Sequence, residues 1–367
     1  MKQAINRLFI LVFLGITIMS CNRKITQDLP LEIVGYDTTV FKGGNFRYVG
    51  TKYRMSDQNN FVLIHQGVEL YWFDIQKDSM VRSINLDTTN LVLPQVNMLQ
   101  ALYHEADSSL ILFFPQRSKI IHLDSNLEIE KEVNLSGIQE LTYMYMPYGQ
   151  VFFYDSTRQE YYIGMLSGKL EDHRAFSNET RFVGVFDGNS GKLKTSFGEF
   201  SEERKKIDAY VNSQGLINFD SFNDEFYIRE TVGSSTVNKY DAAGNLENSY
   251  DLGSSFLSYN IFENKDGEEW FQASVSDHNY GMKVASTNRI VSFGMLFKDE
   301  RRNRLNHQGV LFVEDLENQL TYSTLVDPFQ MILWASDSEI YLVRYHKEVE
   351  EMILVKVKYK FGKSIQD

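Results

Sequence analysis

Apolar and polar residues along this chain fall into short runs whose period is that of strands. Phe61–Ile64, Leu70–Phe73, Leu110–Phe114, Ile120–Leu123, Val183–Phe186 and Val310–Val313 are each four or five residues of almost unbroken apolar or aromatic character. They are separated by clusters of Asp, Asn, Ser and Gly, which supply turns. Strongly helix-periodic stretches are almost absent. Ser201–Ile207, a capping residue followed by strong helix formers, predicts one short surface helix.

The runs repeat as a unit: a strand, a turn, a second strand ending in Asp, a polar turn and a third strand. Phe61–Ile64 leads to Leu70–Asp74 and on to Met80–Leu86. Leu110–Phe114 leads to Ile120–Asp124 and Leu127–Leu135. Val151–Tyr154 leads, after an insertion, to Val183–Asp187 and Leu193–Phe197. Phe226–Ile228 leads to Val237–Asp241 and Leu246–Leu252. Ile290–Phe293 leads to Val310–Asp315 and Leu320–Leu325. Ile332–Trp334 leads to Ile340–Val343 and Ile353–Tyr359, this time with no Asp. The five repeated Asp residues are 50, 63, 54 and 74 apart. A four-stranded propeller blade takes roughly 40–50 residues, so the wider gaps hold loops or extra strands. Asp74, Asp124, Asp187, Asp241 and Asp315 are expected to be structural, accepting from backbone N–H groups of the turns that follow them.

The apolar-apolar-Asp-turn-Gly-x-Leu unit resembles that of TolB-like and NHL-like six-bladed propellers. The resemblance covers about residues 31–361 and implies an all-β, six-bladed β-propeller, with seven blades as the alternative. A ring needs its last blade closed, commonly by a strand from the other terminus. Leu31–Val34 or Phe46–Tyr53 is expected to supply it and so remove an exposed edge.

The start of the chain has a different character. Lys2 and Arg7 precede a nearly unbroken apolar run, Leu8–Met19. Its length suits a secretory leader and is short for a membrane span. Ile18-Met19-Ser20-Cys21 resembles the bacterial lipobox, with Met19 standing where a smaller residue is commoner. Cys21 is the only cysteine in the chain. The expected division is therefore leader 1–20, lipidated tether 21–30, propeller 31–361 and tail 362–367. With this leader the chain resembles propeller lipoproteins of Bacteroidetes-type bacteria that carry a domain of unknown function. Two or three acyl chains hold a protein on a bilayer stably where one does not. Asn22, not Asp, follows Cys21, and no acidic cluster follows Arg23 and Lys24. This implies the outer membrane, periplasmic face, with the cell surface as the alternative.

Charge narrows the partners. The chain carries 37 Lys and Arg against 49 Asp and Glu, a net −12 that becomes −14 once Lys2 and Arg7 leave with the leader. That argues against nucleic acid and against a basic face on anionic lipid. The membrane is expected as a partner only through the anchor, and the ligand as a protein, peptide or glycan. Without a cysteine pair, stability must come from the core.

Candidate chemistry is sparse. There is no Gly-x-Ser-x-Gly, His-Glu-x-x-His, P-loop or Cys-x-x-Cys, and the seven histidines have no metal spacing; His122, in mid-strand, reads as packed. Tyr143 and Tyr145, within Thr142–Tyr148, could form a ligand-facing platform, with packing between blades as the competing reading. His278, Asn279 and Tyr280 lie in a polar stretch that suits a binding loop. No cofactor is expected. The alternative is a lactonase-like hydrolase holding a central Ca²⁺ through residues such as Asn218, Asp220, Asn223 and Asp224, or Asn260, Glu263 and Asn264. A binding or scaffold module is the favoured reading.

Overall fold

The computed structural model describes residues 29–41, 51–88, 100–137, 142–143, 152–167, 180–205, 210–211, 217–231, 235–252, 261–263, 269–271, 278–297, 307–328, 330–346 and 351–362. The leader and Cys21 lie outside them. The described chain is almost entirely strand and turn, in a propeller-like arrangement.

Four sheets follow one another along the chain, each made of antiparallel neighbours in sequence order. Sheet I holds Thr51–Met55, Phe61–Gln66, Glu69–Asp74 and Ser79–Asn85. Sheet II holds Gln100–His104, Ser109–Phe114, Lys119–Leu123 and Ile129–Asn134. Sheet III holds Phe152–Asp155, Glu160–Ser167, Arg181–Asp187 and Leu193–Phe197, with Thr142–Tyr143 paired to the far end of its second strand. Sheet IV holds Ile217–Phe222, Glu225–Glu230, Thr236–Tyr240 and Leu246–Asp251.

Apart from a small sheet of Tyr210–Val211, Glu269–Phe271 and Ile261–Glu263, the remaining described strands form one eight-stranded sheet in two halves. The first half is His278–Ser286, Arg289–Phe297, His307–Asp315 and Leu320–Val326. The second is Gln330–Ala335, Glu339–His346, Glu351–Phe361 and, from the other end of the chain, Leu29–Phe41. That N-terminal strand runs antiparallel to Glu351–Phe361, from Leu31 opposite Phe361 to Phe41 opposite Met352. Its first two residues, Leu29 and Pro30, pair parallel with Tyr322 and Ser323 and so join the halves. The segment containing Leu31–Val34 is thus the one added to the last unit, whereas Thr51–Tyr53 opens sheet I.

The cores lie between sheets. Leu63, Trp72, Ala101 and Leu112 pack sheet I on sheet II, and Ile111, Phe113, Phe152 and Tyr161 pack II on III. Phe182, Phe197, Phe219 and Phe226 join III to IV, and Tyr227, Val237, Met282 and Ile290 join IV to the first half of the large sheet. Val291, Leu311, Ile332 and Val355 join its halves. Phe41, Val62, Phe73, Met331 and Leu354 bring the second half back onto sheet I. Because both faces of each sheet are covered, the middle strands read as continuous apolar runs.

Two of the repeat units differ from their sequence reading. In the third, the supposed insertion contains the second strand, Glu160–Ser167, and Phe152–Asp155 is the first strand. In the last, Ile332–Trp334 also belongs to a first strand, so the unit runs one strand behind the others. The reason is the imported strand: the fourth member arrives from Leu29–Phe41, no hairpin is needed after Phe361, and no turn Asp stands there. Where hairpins do occur, the carboxylates hold them. Asp74 Oδ1 accepts from Gln76 N at 2.9 Å and Lys77 N at 3.0 Å. Asp124 accepts from Asn126 N and Glu128 N, both at 2.9 Å. Asp187 accepts from Ser190 N at 2.7 Å, Asp241 from Asn245 N at 2.8 Å and Asp315 from Asn318 N at 3.0 Å. In the turn after Asp187, Gly191 has φ +69, and a Cβ there would stand 2.2 Å from the Asn134 carbonyl oxygen of sheet II. The helix in Ser201–Ile207 is one turn, Glu202–Lys205, entered by Lys205 N donating to Ser201 O at 3.0 Å.

Candidate functional site

The first strands of sheets I to IV and of both halves of the large sheet face a single cavity of about 620 Å³. Their positions explain its chemistry. A first strand has one edge paired within its own sheet and the other turned to the middle of the ring, so its polar side chains need not be excluded. In sheet I, Lys52 and Arg54 alternate along the strand and therefore share a face. Lys52 stands opposite His65, which brings that ring onto the same face.

Arg54 reaches across the cavity. Its guanidinium donates to the Phe152 carbonyl oxygen of sheet III at 3.0 Å and sits 5.8 Å from the Phe153 ring centre. Asp220 of sheet IV attracts it electrostatically. The Asp220 carboxylate accepts from the backbone N–H of Val284 at 2.8 Å and from Lys283 Nζ at 3.2 Å, both in the first half of the large sheet. One polar chain thus crosses four of the surrounding strands.

Lys52 and Arg54 keep some contact with solvent-sized space yet lie deep among protein atoms. Desolvation lowers Lys52 to about 8. It also lowers Arg54, opposed by Asp220, and a guanidinium so placed remains a cation at neutral pH. His65 is pushed down to about 3, by burial first and by the Lys52 charge second, so its imidazole is neutral. The Nδ1 atom of this buried ring has no hydrogen-bond partner among the described residues. At the rim Asp57 is exposed, 3.7 Å from His104 Nδ1. There Glu105 holds the turn of sheet I through Ser56 Oγ and through Asn60 Nδ2 at 2.8 Å. Half-buried rings of Tyr103, Phe153, Tyr154 and Trp334 supply apolar wall between the charges.

Among the residues named from sequence, Asp220 and Asn223 line this cavity. Asn218 is buried, and Asp224 is exposed with Arg158 Nη2 at 3.1 Å. Glu263 is described only in its backbone, and Asn260 and Asn264 lie outside the described residues. No group of three or more His, Cys, Asp or Glu able to hold a metal occurs among the described residues. Tyr145 lies outside the described residues. Tyr143 pairs with Met165, and His278 and Asn279 pair with Met295 and Gly294; for these residues and Tyr280 only the backbone is described. His122 is part-buried, with Nε2 2.6 Å from the Tyr161 hydroxyl.

Sequence reasoning passed over Lys52, Arg54, His65 and Lys283. The available signal was Lys-Tyr-Arg-Met, a cation-apolar alternation immediately before the first apolar run. It acquires meaning only once that strand is placed innermost.

No protein-family model matches the sequence, and no curated protein matches it. Solved structures do resemble it in fold. A member of the DUF4221 family from Bacteroides vulgatus superposes with a TM-score of 0.62 over 92% of this chain and 100% of its own, at 11% identity. A Bacteroides fragilis protein described as a candidate exported protein gives 0.49 over 91% of this chain and 96% of its own, also at 11% identity. At such identity the likeness is one of fold.

Proposed function

We propose that this protein is a binding module of the cell envelope: a six-bladed, TolB-like or NHL-like propeller, held to the outer membrane by a lipid on Cys21, that takes a small ligand into its central cavity. Counting the two halves of the large sheet as separate blades gives six. The parallel contact of Leu29 and Pro30 is then the clasp between the fifth and sixth. The observation that carries the reading is the convergence of six first strands, one from each of sheets I to IV and one from each half of the large sheet, on one cavity of about 620 Å³, within the usual range for small-molecule sites. The likeness in fold to the DUF4221 protein supports the architecture, and a fold by itself does not choose a ligand.

The anchor rests on the leader and the Ile18–Cys21 spacing. Cys21→Ala is expected to move the protein from the detergent phase to the aqueous phase on Triton X-114 partition, and unchanged partition overturns it. Protease added to intact cells tests orientation: survival of the propeller is expected for the periplasmic face, and digestion beside an intact periplasmic marker places it on the surface. For binding, a thermal-shift screen of neutral, cationic and anionic small molecules compares the native chain with Ala285→Trp, which fills the cavity wall. A class that raises the melting temperature of the native chain alone is expected. No stabiliser, or one that acts equally on both, defeats the proposal.

A further inference from the structure

We infer that the central cavity opens towards the membrane and draws its ligand from there. The ligand is an amphiphile of that bilayer, whose polar head enters the cavity while its apolar part rests on aromatic side chains at the mouth. This inference rests on the proposals that Cys21 carries the anchor and that the cavity is a binding site. It adds where the ligand comes from and of what kind it is.

The first observation concerns faces. Where antiparallel strands follow one another in sequence order, the turn from first to second strand and that from third to fourth lie at the same end of the sheet. Four contacts bring the first turns together on one face of the molecule. Asn60 Nδ2 of sheet I donates to Glu105 Oε2 of sheet II at 2.8 Å. Arg158 Nη2 of sheet III lies 3.1 Å from Asp224 Oδ2 of sheet IV. The Tyr227 hydroxyl of sheet IV donates to Thr287 O at 3.2 Å, and Arg289 Nη1 donates to Asp337 Oδ1 at 2.9 Å between the halves of the large sheet. The cavity opens on this face: Asp57, Asn59 and Asn223, in the first turns of sheets I and IV, line it and are exposed. Near the starts of the first strands, Gln100 and His65 line it and are buried.

Leu29 stands on the same face. It begins the fourth strand of the last unit, and the third strand ends beside it, Gly362 N donating to Pro30 O at 3.0 Å. The Tyr359 hydroxyl of that third strand donates at 2.8 Å to Ser336 O, in the unit's first turn, and Ser336 lines the cavity. Eight residues, Cys21 to Asp28, precede Leu29. A chain of that length spans at most about 29 Å. A lipid on Cys21 therefore holds the face with the mouth towards the bilayer.

The second observation is the order of groups inside. Arg54 donates to Phe152 O, and Tyr154 stands two residues nearer the turns. Asp220 accepts from Lys283 and Val284, and Phe222 stands two residues nearer the turns. Tyr103 and Trp334, each next to last in its first strand, also line this end with half-buried rings. Tyr and Trp rings suit a membrane–water interface, because each joins an apolar body to a polar atom. From the mouth inward the lining thus passes from rings to hydrogen-bonding groups. An amphiphile entering head first passes the rings with its head and leaves its apolar part against them.

Orientation is tested on the lipidated chain bound to phosphatidylcholine vesicles with nitroxide on a fraction of the head groups. A fluorophore is attached through Ser125→Cys, in a turn on the mouth face of sheet II, or through Arg117→Cys, on the opposite face; both positions are exposed. Quenching at position 125 is expected to be at least twofold stronger than at 117. Equal quenching, or stronger quenching at 117, overturns the inference and leaves the anchor standing. A chain that does not float with the vesicles defeats the anchor and the inference with it. The ligand is tested with Cys21→Ala, which carries no covalent acyl chain, incubated with vesicles of envelope lipid extract, separated from them and extracted with organic solvent. Recovery of one amphiphile is expected, and at least a fivefold loss of it when Ala285→Trp or Phe222→Ala, each checked for native circular dichroism, is added. No amphiphile, or equal recovery from the filled cavity, overturns the inference. A water-soluble stabiliser in the thermal-shift screen would in that case keep the cavity as a binding site.

Discussion

Arg229 and Glu314 meet fork to fork across the seam between sheet IV and the large sheet, with Nη2 2.6 Å from Oε1 and Nη1 2.9 Å from Oε2. Both side chains are about 1% exposed. Ser292 Oγ lies 2.9 Å from both Arg229 Nη1 and Glu314 Oε2 and closes the triangle. A pair so placed fixes which surfaces meet, because a slipped seam would bury two unmatched charges.

Removing one member should therefore be severe. Arg229→Met strands the Glu314 carboxylate and is expected to cost about 3–5 kcal/mol. Arg229→Met with Glu314→Leu should cost clearly less than the single change. Urea denaturation of both variants measures the difference, and a double variant no more stable than the single would contradict it.

The turn carboxylates make a milder prediction. Asp74→Ala removes the acceptor for Gln76 N–H and Lys77 N–H. A loss of about 1 kcal/mol is expected. Ligand binding should fall only as far as folding does. Lost binding at an unchanged melting temperature would assign Asp74 a direct role.

His65 gives a pH dependence of known sign. Its folded value lies near 3, whereas an unfolded histidine takes a proton near 6.5. Below that pH the unfolded chain gains a proton that the fold refuses, so stability drains as pH falls from about 6.5 towards 3. By pH 5 the histidine accounts for about 2 kcal/mol. Urea midpoints at pH 7 and pH 5 should separate less in His65→Gln than in the native chain. Equal separation would show that the ring is not buried in neutral form.

Closure of the ring can be tested by omission. The N-terminal strand places Leu31, Ile33, Val40 and Phe41 into the last two cores. Deleting residues 29–41 uncovers the edge of Glu351–Phe361 and should abolish cooperative melting or lower its midpoint by more than 10 °C, an effect of several kcal/mol for a chain of this size. A synthetic peptide of residues 29–41 should restore it when added. An unaffected midpoint would mean that the strand is dispensable.

The parts of the fold legible in the sequence are those packed on both faces. Leu110–Phe114 and Val183–Phe186 read as strands because they lie between two sheets and contain little but apolar residues. Asp74, Asp124, Asp187, Asp241 and Asp315 read as turn residues because their hydrogen bonds reach only a few positions along the chain. First strands were harder, since one edge looks into the cavity and tolerates Lys52, Arg54, Asp220 and Lys283. The last unit was misread by one strand because its closing partner lies at the far end of the chain. The site was least legible: Arg54 meets Phe152, and Lys283 meets Asp220, only after sheets distant in sequence have been brought together.

The pairing of Leu31 with Phe361 also sets an order in time. Of the described strands Leu29–Phe41 is the first to be synthesised, and its neighbour Glu351–Phe361 is the last. Until then only Leu29 and Pro30 of that strand have a strand partner, in Tyr322 and Ser323, and a chain interrupted before Glu351–Phe361 keeps an open edge. The seam therefore acts as a check on length: only a copy that extends through Glu351–Phe361 can shut, and a shorter one shows the gap at a single place.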